Sequence, residues 1–145
     1  MMEVRRMEPG EIDAVLALRE AVFCEEQGVS LDLERDGHDG RALHIVAVEA
    51  GEVVGTCRLL ADGEVWRLGR MAVRRDRRGG GLGAAVLRAA HEEAAGGGAR
   101  EIRLAAQVPV REFYARFGYV ERGDVFIEAD IPHVLMSCAM ESADR

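Results

Sequence analysis

The chain has 145 residues, 48% of them hydrophobic, which is enough apolar material for a single domain, 1–145, with a continuous core. The formal charge is −7 and every one of the 19 basic residues is arginine. That excludes a Schiff-base lysine and the lysine of a Walker loop, and it argues against a surface built for nucleic acid. Cys24, Cys57 and Cys138 show no C-x-x-C spacing, so neither a disulfide framework nor a zinc site is expected. No stretch has the apolar length of a membrane span, and the N-terminus is charged rather than shaped like a signal peptide. The expectation is a cytoplasmic protein with no metal, no nucleic acid and no membrane partner.

From Pro9 to Phe23, apolar residues recur at helical spacing and predict an amphipathic helix. Cys24 to Ala42 is acidic and punctuated by glycine, and reads as a short helix or turn followed by a loop. Leu43 to Val48 and Val53 to Leu60 form a hairpin around Gly51. A turn at Asp62-Gly63 leads into a strand from Val65 to Val73. Strict alternation there puts Val65, Arg67, Gly69, Met71 and Val73 on one face, and Trp66, Leu68, Arg70 and Ala72 on the other. Gly69 marks a bulge or a close approach to the backbone. A helix beginning near Leu82 connects this strand to Arg100–Ala106, and a right-handed crossover makes the two strands parallel. A helix from Pro109 to Gly118 and two strands, Tyr119–Glu128 and His133–Met140, complete the chain.

The chemistry lies in "RRDRRGGGLG", Arg74 to Gly83. Free backbone N–H groups at a helix start bind anions, and glycines let a phosphate approach without meeting a Cβ. A Walker loop fails for want of G-K-[ST]. The dinucleotide fingerprint fails because five residues separate the strand from Gly79 and the next strand closes on Gln107 instead of an acid. What fits is [RQ]-x-x-G-x-[GA], at Arg78-Gly79-Gly80-Gly81-Leu82-Gly83.

With that loop, the strand ending "MAV", the strand ending "AAQ" and the helix "FYARFGY", the chain resembles the GNAT superfamily of N-acetyltransferases. "VFCEEQGV", "LHIVAV" and "IEADIPHVLM" are similar to its ElaA-like subgroup of small bacterial proteins. The resemblance implies the GNAT acyl-CoA N-acyltransferase fold, α/β (α+β): a mixed, mostly antiparallel central sheet with a splayed parallel strand pair, flanked by helices. It implies acetyl-CoA as co-substrate, held by Met71, Ala72, Val73, Arg78, Gly79, Gly80, Gly81, Leu82, Gly83, Gln107 and Tyr114. Arg74, Arg75 and Arg77 would meet the cofactor's outer phosphate or solvent.

The resemblance also implies direct attack by a primary amine of a small molecule or peptide, in a ternary complex. Met71 would supply a backbone oxyanion contact and Tyr114 would act as general acid. Many GNAT enzymes carry a glutamate where this chain has Gly69, so either the base falls among Glu26, His44, Glu128 and His133, alone or through a water chain, with Glu26 also a substrate contact, or the substrate arrives partly deprotonated. The acidic segment Glu25 to Asp39 would favour cationic amines. Cys24, Cys57 and Cys138 are expected in the core, and His44 and His133 as structural hydrogen-bonders. Two other classes compete: an acyl-CoA-binding regulatory module that lost the chemistry, and an arginine-patch nucleic-acid binder. Exposed edge strands make a homodimer plausible.

Overall fold

The aliphatic runs on either side of Ala50-Gly51 pair as the antiparallel hairpin β2 (Leu43–Glu49) and β3 (Glu52–Asp62). Both turn residues have positive φ, 52° and 79°, as a tight two-residue hairpin requires. Gly63 turns the chain into β4 (Val65–Val73), and β5 (Glu101–Gln107) lies parallel to it. The computed structural model describes residues 2–140. Among them, a seven-stranded sheet runs in the order β1-β2-β3-β4-β5-β7-β6, with β1 (Met2–Arg6), β6 (Val120–Glu128) and β7 (Ile131–Ala139). Every pairing except β4–β5 is antiparallel.

Strand β1 escapes a reading of apolar pattern because "MEVRR" holds a single β-branched residue. It is held by pairing to β2, and Arg5 forks onto Glu11 at 2.8 Å through both terminal nitrogens. The first helix is longer than its apolar pattern predicts. A 3₁₀ turn (Pro9–Glu11) leads into α1 (Ile12–Arg19), which continues as a π-helix over Glu20–Glu26. Single π turns are rare and tend to occur beside functional sites. Here the wider turn packs Val22 with Leu18 against Ala72 of β4. The short α2 (Leu31–Glu34) starts at Ser30, whose side chain accepts from the Leu33 N–H.

Helix α3 (Leu82–Gly96) buries Leu82, Val86, Leu87, Ala90 and Ala94, a stripe at helical spacing that seats on the sheet with Ile45, Leu59, Trp66, Ile102 and Met136. The last helix, α4 (Arg111–Ala115), is short and ends before Gly118, whose φ is 93°.

One feature of β4 departs from strict alternation. Thr56 faces Ala72 and Arg58 faces Gly69, so Arg70 and Met71 together oppose Cys57 alone. This bulge puts Arg70 at φ 54° and reverses the faces beyond it. Met71 and Val73 therefore pack with Trp66 and Leu68 toward α3, while Ala72 turns to the α1 side. The expected grouping of Met71 and Val73 with Arg67 is thus corrected: the extra residue shifts the period of two by one.

Candidate active site

Strands β4 and β5 are paired only where Val65–Arg67 meets Glu101–Arg103; above that point they part. A continuous cleft of about 1450 Å³ runs through the gap. One end is formed by Arg78, Gly79, Gly81, Leu82 and Gly83 of the glycine turn, and Arg88, Phe113, Tyr114 and Arg116 from α3 and the α4 region line the same cleft. Met71, Ala72, Val73 and Gln107 line its middle. Leu33, Asp36, Arg58, Arg67, Arg103, Glu128 and His133 line the other end.

The turn is built for close approach. Gly79 and Gly81 both have φ 84°, and a Cβ at Gly79, Gly80 or Gly81 would meet nothing within 4 Å. Helix α3 begins at Leu82, so its unpaired N–H groups face the end of the cleft lined by this loop.

The arginines before it divide sharply. Arg74 pairs with Asp76 and Glu52, and Arg77 with Glu49 and Asp76, at the hairpin end of β2 and β3; Arg77 also lines the cleft. Arg75 has no carboxylate partner among the described residues, and it is exposed. Arg78 donates from Nε to the Val73 carbonyl at 3.0 Å and forks onto Glu26 at 2.8 and 3.0 Å. That fork holds the Glu26 carboxyl below its usual range. Glu26 itself does not line the cleft; its neighbours Phe23 and Gln27 do. Gln107 donates to the Gln27 side chain at 2.8 Å.

Tyr114 is 6% exposed, with its ring edge-on to Phe113 and Tyr119. Burial pushes its hydroxyl well above the usual value for a phenol. The group holds its proton throughout the physiological range.

The base candidates also separate. His44 is buried, with Nε2 against the Asp39 carbonyl and Nδ1 without a partner, and it is not a cleft residue. His133 sets Nδ1 against the Ile131 carbonyl at 2.6 Å. A carbonyl only accepts, so Nδ1 carries a proton; Nε2 lies 3.9 Å from Glu128 Oε2.

The acidic segment is not a free negative wall. Glu34 pairs with Arg19, Arg35 and Arg70, Asp36 with Arg58 and Arg70, and Asp39 with Arg19 and Arg58. Arg70, strained at the bulge, also donates to the Glu34 carbonyl at 3.0 Å and the Leu33 carbonyl at 3.3 Å, tying α2 to β4. Cys57 and Cys138 are buried and Cys24 is half-buried; burial raises the Cys57 thiol to about 12. Sequence reasoning missed Arg67, Arg88, Arg103 and Arg116 as cleft residues. Alternation in "EIRLAAQ" does set Arg103 opposite the buried positions, but only the pairing of β4 with β5 shows what lies beside it.

The family model of the GNAT acetyltransferase domain matches residues 11–140. The chain belongs to the GNAT family. An uncharacterised N-acetyltransferase of Bacillus subtilis, YjcF, is 34% identical over 120 residues, covering 82% of this chain and 86% of that one. An acyl-CoA N-acyltransferase from Pseudomonas aeruginosa superposes with a TM-score of 0.82 at 30% identity, covering 96% and 99% of the two chains. Escherichia coli ElaA gives a TM-score of 0.86 at 28% identity, covering 95% and 99%. This GNAT domain is an acetyl-CoA-dependent acetyltransferase of ElaA-like type. Among its described residues no group of side chains is arranged to hold a metal ion, and no helix is long and apolar enough to cross a membrane.

Proposed function

We propose that the enzyme transfers an acetyl group from acetyl-CoA to the primary amine of a small molecule or peptide, by direct attack in a ternary complex. The carrying observation is the through-going cleft where β4 and β5 part, with a glycine turn and helix start at one end and a polar recess at the other. The pyrophosphate lies on the N–H groups of Gly79 to Gly83, with Arg78 leaving Glu26 to meet it. The pantetheine arm runs along the Met71, Ala72 and Val73 backbone as an added strand, and Gln107 borders it.

The amine nitrogen attacks the thioester carbonyl, whose oxygen takes the electron pair and accepts from the Met71 N–H. Collapse breaks the carbon–sulfur bond, and Tyr114 donates its proton to the departing sulfur. The nitrogen gives up its proton to His133 Nε2, the histidine among the four candidates that lines the cleft, with Glu128 beside it. Glu26 acts through Arg78 and does not take the proton.

Calorimetry tests the donor half: coenzyme A binds the wild type, and the heat disappears in Arg78→Ala with Gly81→Val. Full binding in that double variant places the cofactor elsewhere. We also propose a homodimer through β6, which is exposed along its whole length and shows Val125, Phe126 and Ile127 to solvent. Sedimentation of the wild type as a dimer and of Ile127→Glu as a monomer is expected; a monomeric wild type contradicts it.

A further inference from the structure

Arg67 and Arg103 stand side by side in register, at the last paired position before β4 and β5 separate. Their neighbours Trp66, Leu68, Ile102 and Leu104 are buried in the core against α3. Alternation therefore turns both arginines to the opposite face, where they are exposed and line the acceptor end of the cleft. Adjacent strands lie about 4.8 Å apart, so the two chains hold like charges close together at a cost that salt and water only partly relieve. Glu101 pairs with Arg103, whereas Arg67 has no carboxylate partner among the described residues.

The surroundings leave that charge standing. Glu34, Asp36 and Asp39 are consumed by Arg19, Arg58 and Arg70. Gly69, one step up the same face and opposite Arg58, offers open space and no carboxylate. The remaining acid of the recess, Glu128, sits at the far end beside His133. Gln107 is the β5 partner of His133 and lies four residues beyond Arg103; Met71 lies four beyond Arg67. Four strand residues span about 13 Å, part of which the long arginine side chains close. The recess is positive where β4 and β5 meet, and His133 and Glu128 lie farther along it, beside Gln107.

We propose that the amine acceptor carries a carboxylate, gripped by Arg67 and Arg103, with its nitrogen directed toward Met71 and His133. This rests on the acetyl-transfer reading and names the acceptor class within it: an amino acid, not a polyamine or a neutral amine. Two guanidinium groups hold a carboxylate through charge-assisted hydrogen bonds, which a carboxamide of the same shape cannot match.

The test is thiol release from acetyl-CoA with matched pairs of ω-amino acids and their carboxamides, from glycine and glycinamide to 6-aminohexanoate and 6-aminohexanamide. Putrescine serves as a cationic control. Wild type is expected to favour at least one acid over its amide by about tenfold or more in kcat/KM. Arg67→Gln and Arg103→Gln bring that ratio close to one, mainly through KM, and Arg67→Lys restores part of it. Equal rates on acids and amides, or turnover of putrescine without any acid, overturns the acceptor class while acetyl transfer stands. Failure to bind coenzyme A in calorimetry overturns both.

Discussion

Tyr114 is proposed as the acid because it lines the cleft and keeps its proton when buried. Packed between Phe113 and Tyr119 and lining the cleft, its hydroxyl is driven upward by desolvation. That shift makes it a weaker acid than a free phenol, so its proton moves to sulfur only through a hydrogen bond already formed as the carbon–sulfur bond breaks. Tyr114→Phe removes one oxygen and keeps the ring contacts. It is expected to lower kcat by about 100-fold or more, the usual worth of a positioned acid, while coenzyme A affinity stays within about twofold. Steady-state rates beside calorimetry decide it, and unchanged kcat assigns the proton to another donor. Tyr114 was legible in the chain because "FYARFGY" resembles a family helix. The arginines of the acceptor end were not, since each belongs to a different strand and acquires meaning only when β3, β4 and β5 lie side by side.

At the scale of elements, the glycine turn and α3 form the unit proposed to hold the donor. Gly81 adopts φ 84° immediately before the first helical residue, a conformation that costs a residue with a Cβ about 1 kcal/mol. Gly81→Ala is therefore expected to lower stability by about that amount in urea unfolding. Coenzyme A affinity should drop by about tenfold or more, because the new methyl stands where phosphate approaches. An affinity equal to wild type places the pyrophosphate away from this turn. The strand, turn and helix were readable in order because each has its own local signal: alternation, a glycine cluster and a 3.6-residue stripe. Strand β1 carries almost none, and the π turn of Glu20–Glu26 obeys no local propensity. The bulge was signalled by Gly69, yet its extra residue is Arg70, whose strain is borne by hydrogen bonds to α2 from a distant part of the chain.

Across the whole molecule, the charges of Arg19, Glu34, Asp36, Asp39, Arg58 and Arg70 join the α1–α2 segment to the sheet. Hydrogen bonding to Arg58 holds the Asp36 carboxyl far below its ordinary value. Its contribution to stability is therefore complete above the unfolded value of about 3.9 and is lost as pH falls below that toward the folded value. Asp36→Asn should cost about 2 kcal/mol at pH 7, with the gap to wild type closing below about pH 4. Unfolding curves across pH 3 to 7 show this, and a constant gap contradicts the linkage.

In the proposed reaction the donor seat and the acceptor recess meet at Met71, which lines the cleft. Thiol release from acetyl-CoA, followed with and without an amine panel, tests that arrangement most directly. The account predicts slow release with acetyl-CoA alone and a saturable increase on adding a carboxylate-bearing amine, with N-acetylated product formed in equal amount. Coenzyme A binding with no amine-dependent release across the panel would contradict it and make the protein an acyl-CoA-binding module.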